Sequence, residues 1–385
     1  MKRILITVLS MMMAGCGIID RIRGKDDALP PLEPNPLPSI SQEVDIRRAW
    51  SYGVGGGEHA GLRPALGGGT VYVAGGGGRV AALDLESGSV QWRTELDVRI
   101  SGGVGTGEGL VMVGGLGGQV VALDSRDGAE AWRARVASEV LAPPRAASGT
   151  AVVRTIDGGV SGLSTTSGDV KWKLQREEPS LTLRGLSPPL LEQGVAVLGY
   201  SDGKIAAVNV SNGATLWEMP VARPSGTNEV ERMIDIDAAP LLVGNVLYAV
   251  SFQGSITAYE LGVHQSLWRT EMSSHKDLAA DDDNLYASDS QGRVHALDRA
   301  TGEEMWVQED LLRRRLSGPA VVGDYVVAGD YEGYLHVMRK SDGRLVGRRD
   351  FRDRISAQPL VRDGRVLVLT EGGRLSAVSI DAGDG

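Results

Sequence analysis

The sequence is poor in cysteine, phenylalanine and histidine, with one, two and five residues of each in 385. A single cysteine, Cys16, excludes an intrachain disulfide bond and a cysteine-based metal site. The net charge of −9 lacks the basic excess on which non-specific nucleic-acid binding depends. Nucleic acid is therefore excluded as a partner. The 53 glycines indicate many tight turns and a core of small and β-branched residues.

The N-terminus has the pattern of a secretion signal. Lys2-Arg3 is followed by an apolar stretch, Ile4–Ala14, which is too short to span a bilayer and typical of a signal peptide. The small residues directly before Cys16 resemble the lipobox of bacterial lipoproteins. That resemblance implies removal of residues 1–15 and acylation of Cys16. Gly17, where an aspartate would imply retention in the inner membrane, favours the outer membrane. The alternative is an ordinary signal peptide with an incidental cysteine.

Residues 16–43 are predicted to form a tether. This segment carries five prolines between residues 30 and 38 and almost no periodic apolar pattern. Proline-rich segments are extended and semi-rigid, so the tether reaches at most about 85 Å. The folded part of the chain can therefore stand away from the membrane, on its periplasmic side.

A repeated unit organises the rest of the chain. Its clearest copy is Val71–Trp92, in which three short runs of β-forming residues are separated by a glycine-rich turn and a tight Ser-Gly turn. Further copies follow at about 40 residues, and a weaker fourth run lies between each tryptophan and the next clear pair. The repeat ends at Trp50, Trp92, Trp132, Trp172, Trp217, Trp268, Trp306 and, in place of a tryptophan, Gly347.

Eight repeats of four strands predict an all-β fold, an eight-bladed β-propeller over residues 44–385. The last copy, Val366–Ile380, lacks its third strand, and the segment around Trp50 lacks the strands that should precede it. Each incomplete copy supplies what the other lacks, so the N-terminal strand is predicted to close the last blade. The tryptophans are assigned to packing and not to substrate binding.

The repeat A-x-D-x-x-x-G-x-x-x-W, nearly complete in Ala82–Trp92 and Ala296–Trp306, resembles the repeat of pyrroloquinoline-quinone dehydrogenases. It also resembles the repeat of the BamB family, the propeller lipoproteins of the outer-membrane β-barrel assembly machinery. The lipobox, the tether, the eight blades and the total length resemble this second family along almost the whole chain. The resemblance implies a non-enzymatic scaffold, lipid-anchored in the outer membrane and facing the periplasm.

Two stretches carry the family resemblance to a binding site. Pro179–Gly185 resembles the family's P-S-L-x-L-R-G segment, and Asp235–Pro240 resembles its D-x-D-x-x-P segment. In the family these segments help to bind the periplasmic POTRA domains of the barrel-forming subunit. The resemblance therefore assigns partner binding to Leu181, Leu183, Arg184, Asp235 and Asp237.

The residues themselves support a site at these positions. Both stretches lie in the two longest intervals between tryptophans, after an outer strand and before the next inner strand. Such connections emerge on one face of a propeller, so the two loops are expected to be neighbours. We expect an apolar centre of leucines with a charged rim formed by Arg184 and the aspartates. The alternative is that the leucines cover a blade and the aspartates cap turns.

Catalytic patterns are absent or misplaced. Gly199–Gly203 matches G-x-S-x-G, but it lies in a strand–strand turn and not in the strand–turn–helix of a nucleophile elbow. The histidines have no metal-ligand spacing, and no cofactor is predicted. A quinone-dependent dehydrogenase is the enzymatic alternative, and a lipoprotein with a different periplasmic partner is the other. Unfolded outer-membrane proteins, pairing with exposed blade edges, are a second predicted class of partner.

Overall fold

The computed structural model describes residues 33–56, 62–263 and 265–383. The chain divides into two compact units, residues 1–34 and residues 35–385. Only Glu33 and Pro34 of the first unit are among the described residues, so the predicted signal peptide and Cys16 lie outside them. The described residues form strands and turns without an α-helix, and none of them forms a helix that could cross a membrane.

The second unit contains eight four-stranded antiparallel sheets, which are the blades of a propeller. Blades 1 to 4 are β2 (Ala65–Gly67), β3 (Thr70–Ala74), β4 (Arg79–Asp84), β5 (Val90–Glu95); β6 (Ile100–Gly107), β7 (Leu110–Gly115), β8 (Gln119–Asp124), β9 (Glu130–Arg135); β10 (Arg145–Ala147), β11 (Thr150–Arg154), β12 (Gly159–Ser164), β13 (Val170–Gln175); and β14 (Leu190–Glu192), β15 (Val195–Gly199), β16 (Lys204–Asn209), β17 (Thr215–Pro220).

Blades 5 to 7 continue the same order, and blade 8 takes its fourth strand from the N-terminal side of the ring. The strands are β18 (Leu241–Val243), β19 (Val246–Val250), β20 (Ser255–Glu260), β21 (Gln265–Glu271); β22 (Ala279–Ala280), β23 (Asn284–Ser288), β24 (Val294–Asp298), β25 (Glu304–Gln308); β26 (Ala320–Val322), β27 (Tyr325–Gly329), β28 (Tyr334–Arg339), β29 (Leu345–Asp350); and β30 (Leu360–Arg362), β31 (Arg365–Leu369), β32 (Arg374–Ala382), β1 (Val44–Gly53).

Burial along the strands explains why the repeat has its sequence pattern. The two middle strands of a blade are covered on both faces by neighbouring blades, so they are continuous apolar runs such as β3 and β4. The outer strand alternates, with Trp92 of β5 buried between exposed neighbours. One apolar cluster fills each seam between blades, and there are eight such clusters.

The motif tryptophan and the motif glycine meet across the seams. Trp92 of blade 1 donates its indole N–H to the carbonyl of Ser125 in blade 2, at 3.0 Å. Gly128, in the turn that follows Ser125, has φ +73°, and a Cβ there would lie 2.4 Å from the Trp92 ring. The glycine is therefore required both by its backbone conformation and by the indole against it. The same pairing recurs at Trp50–Gly88, Trp132–Gly168, Trp172–Gly213, Trp268–Gly302 and Trp306–Gly343.

The ring closes as predicted. Strand β1 pairs antiparallel with β32 from Val44–Ala382 to Gly53–Arg374, and its register shifts between Arg48 and Trp50. The indole of Trp50 then donates to the carbonyl of Leu85 in blade 1, at 3.1 Å. The last blade is thus joined to the first by the N-terminal strand.

Blade 7 has Gly347 at the tryptophan position because β1 occupies the space. A Cβ on Gly347 would lie 2.4 Å from Cγ2 of Val44, which is itself buried. The outer strand of blade 8 comes from the N-terminal side, so no β32–β1 turn exists to carry a motif glycine. The segment Asn35–Glu43, assigned to the tether by the sequence, also belongs to the ring, since Asn35 and Glu43 both hydrogen-bond to blades.

Candidate functional site

Two long loops on one face of the ring form the candidate site. Connection 3–4 (residues 176–189) joins β13 to β14, and connection 4–5 (residues 221–240) joins β17 to β18. Each follows an outer strand and precedes the next inner strand, so both emerge on the same face. The two loops are neighbours, as predicted, and they contact each other directly.

Asp235 joins the two connections. Its Oδ2 accepts a hydrogen bond from the backbone N–H of Leu183 at 2.7 Å, and its own carbonyl accepts the N–H of Phe252 at 2.8 Å. The side chain is 2 % exposed. Burial raises the pKa of Asp235 to about 6, although the Leu183 and Ser201 hydrogen bonds act to lower it. Asp235 therefore holds connection 3–4 from beneath.

Asp237 lies beside the same loop, at the mouth of the central channel. A Cβ on Gly185 would lie 2.5 Å from the Asp237 carboxyl group, so the loop backbone packs directly on this side chain. Burial, and then the charge of Asp235, raise the pKa of Asp237 to about 8, while Arg154 and Lys276 act to lower it. The carboxyl group lines a cavity of about 420 Å³ together with Arg63, Arg184, His275, Lys276 and Asp277.

These positions correct the expected charged rim. The two aspartates do not surround the leucines on the surface, because Asp235 lies behind the loop and Asp237 faces the channel. Among the five residues assigned by the sequence, Leu181 is 42 % exposed, Arg184 is exposed and Leu183 is half-buried. Leu181 and Arg184 therefore present their side chains to solvent, and the aspartates support the loop.

Arg184 extends the site to a third connection. Its guanidinium donates to both carboxylate oxygens of Glu139, at 2.8 and 3.0 Å, in the loop between blades 2 and 3. The arginine side chain remains 67 % exposed, so this pair contributes little to stability in water. It leaves part of the guanidinium free to bind an acceptor on a partner.

Two arginines that the sequence did not reveal, half-buried Arg176 and buried Arg154, hold the two ends of connection 3–4. Arg176 pairs with Asp202 and Glu218, at 2.6 and 2.8 Å, and its guanidinium lies 4.4 Å from the centre of the Tyr200 ring. Arg154, 3 % exposed, donates to the carbonyl of Ser187 at 2.7 Å. Arg154 lies in strand β11, and nothing in the sequence indicates that its side chain binds the loop.

An apolar groove separates the tips of the two connections. It has a volume of about 300 Å³ and is lined by Pro179, Leu181, Met233 and Ile234, with charged residues at its edge. Val230, which follows the groove residue Glu229 in the chain, is 60 % exposed. Val230 and Met233 were not predicted from the sequence, although apolar residues in the longest connection are the signal that would have indicated them. Together with Leu181 they form an apolar surface of the kind that a protein partner covers.

Neither a metal-ion cluster nor a nucleophile elbow is found among the described residues. They contain no group of three or more His, Cys, Asp or Glu placed to hold a metal ion. Gly199–Gly203 forms the turn between β15 and β16, so its serine is not on a nucleophile elbow. His295 and His336 occupy matching strand positions and bind the carboxylates of Asp289 and Asp330 inside blades 6 and 7.

A rigid ring of eight blades with its apolar and charged loops on one face defines a class: a propeller with quinoprotein-type repeats whose surface is suited to docking. The family model described as outer membrane protein assembly factor BamB matches residues 42–102, 76–308 and 291–385. The chain belongs to the BamB family.

Individual relatives agree with this assignment. The chain is 43 % identical over 383 residues to outer membrane protein assembly factor BamB of Pseudomonas aeruginosa, covering 98 % of this chain and 99 % of that protein. The crystal structure of BamB from Moraxella catarrhalis superposes with a TM-score of 0.81 at 28 % identity, covering 87 % of this chain and all of that one. The curated relatives are assembly factors, so the chain is not an enzyme.

The dehydrogenase resemblance is limited to the fold. Quinohemoprotein alcohol dehydrogenase from Comamonas testosteroni superposes with a TM-score of 0.67, covering 89 % of this chain and 77 % of that one. The two sequences are 13 % identical. At this identity the likeness shows a shared fold and not a shared activity.

Proposed function

We propose that this protein is a lipid-anchored scaffold that assists the assembly of outer-membrane proteins. Its tether begins at acylated Cys16, and the ring faces the periplasm. Connections 3–4 and 4–5 dock on the POTRA domains of the barrel-forming subunit, with unfolded outer-membrane proteins as a second class of partner. The names of its relatives support the assembly role, and the motif match in both connections supports the POTRA contact.

One observation carries the docking proposal: the exposed leucine and arginine stand on a loop that is fixed at three points. Asp235 holds its middle, and Arg176 and Arg154 hold its ends. A loop ordered in advance loses little conformational freedom when a partner binds, so its few contacts are converted efficiently into affinity. An apolar groove beside a partly free guanidinium matches the centre and rim of a standard protein interface.

The docking test is the double variant Leu181→Asp, Arg184→Glu. It places two new negative charges on the exposed part of the site and leaves the supporting residues unchanged. We expect the barrel-forming subunit to be lost from affinity purifications of solubilised outer membranes. The matched control is Val90→Asp on β5, because Val90 is 50 % exposed and lies in blade 1. Equal recovery of the subunit with the double variant and with the control would contradict the proposed site.

Cys16→Ser tests the anchor separately. It removes the only thiol that could be acylated, so we expect the protein to move from the outer-membrane fraction to the soluble periplasmic fraction. Retention of the serine variant in the outer membrane when Leu181→Asp, Arg184→Glu is also present would contradict lipid anchoring, because docking could not account for it. A variant that is released and still binds purified POTRA domains would show that the anchor and the docking site are independent.

A further inference from the structure

A segment of the N-terminal region is bound along the outside of blade 7. We call residues Asn35–Glu43 the strap. At its beginning, the N–H of Asn35 donates to the carbonyl of Leu312 at 3.1 Å, and the guanidinium of Arg314 donates to the carbonyl of Asn35 at 2.9 Å. Leu312 and Arg314 belong to the loop between β25 and β26, which emerges on the same face as connections 3–4 and 4–5.

The other end of the strap is bound on the opposite face. The N–H of Glu43 donates to the carbonyl of Val346 at 2.8 Å, and its carboxylate pairs with Arg344 at 2.7 Å. Arg344 lies in the turn between β28 and β29, which is opposite to the docking face. The strap therefore crosses blade 7 from one face of the ring to the other.

Blade 7 also contacts the middle of the strap. Between the two ends, Arg348 donates to the carbonyl of Pro38 at 2.8 Å, and Ile40 packs against the apolar cluster that contains Leu311 and Leu345. Arg348 and Arg314 both lie against the ring of Tyr334, at 5.9 and 5.7 Å.

The Arg314 guanidinium is held in advance for this contact. Its side chain is 2 % exposed and pairs with buried Asp330 at 2.7 Å, which leaves Nη1 directed at the strap. Pro36 and Pro38 restrict the free strap to extended conformations, which lowers the entropy lost when it binds. The strap is contacted at both ends and in its middle, and one of the donors is the buried guanidinium of Arg314. These contacts identify a specific intramolecular site and not an incidental contact.

We infer that the strap selects the face of the ring from which the lipid tether departs, and that this face is the docking face. The inference rests on the proposed anchor and docking site. With the strap bound, the free tether comprises residues 16–34 and reaches at most about 60 Å, at about 3.1 Å per residue. With the strap released, the tether comprises residues 16–43, reaches about 85 Å and departs from the opposite face. Both changes lower the effective concentration of the docking loops at a partner in the same membrane.

The strap-release variant is Pro36→Gly, Pro38→Gly, Ile40→Ser in the full-length lipidated protein. It changes no residue of the blades, so the ring is expected to stay folded. The matched control inserts nine Gly/Ser residues between residues 17 and 32, which lengthens the tether equally while leaving the strap bound. Hydrogen exchange at Asn35 and Glu43 reports release, since both amides are bonded to the ring. Arg348→Ala provides a second release variant from the blade side.

Capture of the barrel-forming subunit is then measured in vesicles that hold both proteins. We expect the insertion to weaken capture by about twofold, from the −3/2 power dependence on tether length, and strap release to weaken it by about fivefold or more. Equal losses for insertion and release, or no loss on release, would overturn the inference. So would rapid exchange of both amides in the unchanged protein.

A soluble assay separates this inference from the proposed function. The Cys16→Ser full chain is titrated with purified POTRA domains, with the strap intact and released. Equal binding by both forms is expected, because the docking loops are unchanged and no membrane is present. Absence of binding by either form overturns the proposed docking site itself. Weaker binding by the released form alone overturns the inference, because the strap would then act on the loops and not on the tether.

Discussion

Asp235→Ala should weaken partner binding although Asp235 itself is buried. The substitution removes the carboxylate that accepts the Leu183 N–H at 2.7 Å and leaves that donor without its bond. A hydrogen bond to a charged group contributes about 1.5–3 kcal/mol. This hydrogen bond is expected to keep connection 3–4 in the conformation that binds the partner. Its loss then lowers affinity by about tenfold to at most about 150-fold, because a smaller fraction of the protein has the loop in that conformation.

The assay combines binding with hydrogen exchange at a single amide. Affinity for purified POTRA domains is measured by titration calorimetry, and exchange of the Leu183 amide is followed in the free protein. Asp235→Ala should accelerate that exchange and weaken binding together. Asp235→Asn keeps an acceptor oxygen without the charge, so its effect on both measurements should be intermediate. The contact control, Leu181→Ser, should weaken binding and leave the Leu183 amide protected.

Two results would refute this reasoning. Full affinity of Asp235→Ala in spite of rapid Leu183 exchange would show that the order of the loop is irrelevant to docking. Unchanged exchange would show that the carboxylate is not the anchor of connection 3–4. Each variant is also melted while its circular dichroism is followed. A fall in melting temperature of more than a few degrees would mean that destabilisation of the whole ring causes the loss of binding.

Three further predictions concern stability. Deleting Ile46–Ser51 removes the middle of β1 and should lower the melting temperature of the whole ring in one transition; a melt like that of the full-length protein would contradict closure by this strand. Gly128→Ala should lower the free energy of unfolding by about 2–4 kcal/mol in denaturant titrations, because it adds a Cβ at φ +73° and 2.4 Å from Trp92. The control Gly149→Ala, at φ +71° with open space around it, should lower it by only about 1 kcal/mol. Asp237 has a folded pKa of about 8 against an ordinary 3.8, so its contribution to stability falls as pH rises from about 4 to 8, and Asp237→Asn should stabilise the protein more at pH 8 than at pH 5.

The sequence predicted what the repeat determines. The number of blades, their order, the closing strand and the packing role of the tryptophans follow from a fixed period, because every copy must bury the same seam. The proximity of connections 3–4 and 4–5 also follows, since consecutive blades place such loops on one face. The order of the blades is therefore sufficient to predict that Leu183 and Asp235 lie on neighbouring loops.

The remaining features depend on contacts that no period encodes. Asp235 accepts a backbone N–H across 52 positions of the chain, and the sequence has no signal for the burial of its side chain. The strap has no alternating or helical pattern. Most of its hydrogen bonds to the blade are made by its backbone N–H and C=O groups, which do not depend on the residue type. Nothing in the sequence indicates that the guanidinium groups of Arg314 and Arg348 donate hydrogen bonds to the strap. Such contacts became visible only with the geometry of blade 7.

Departures from the repeat have separate physical causes, and only some of them carry function. Connections between blades contribute a few apolar residues to the seams, such as Val221 and Ile236 of connection 4–5. Their other residues lie outside the seams, so a connection can lengthen and expose side chains such as Leu181 without weakening the ring. Gly347, in contrast, changes a seam, and the ring is preserved only because Val44 fills the space that a tryptophan would occupy. The same fold therefore occurs in a quinohemoprotein alcohol dehydrogenase and in an outer membrane protein assembly factor. The seams specify the ring, and in our proposal the connections determine what it binds, while the N-terminal segment determines where it is held.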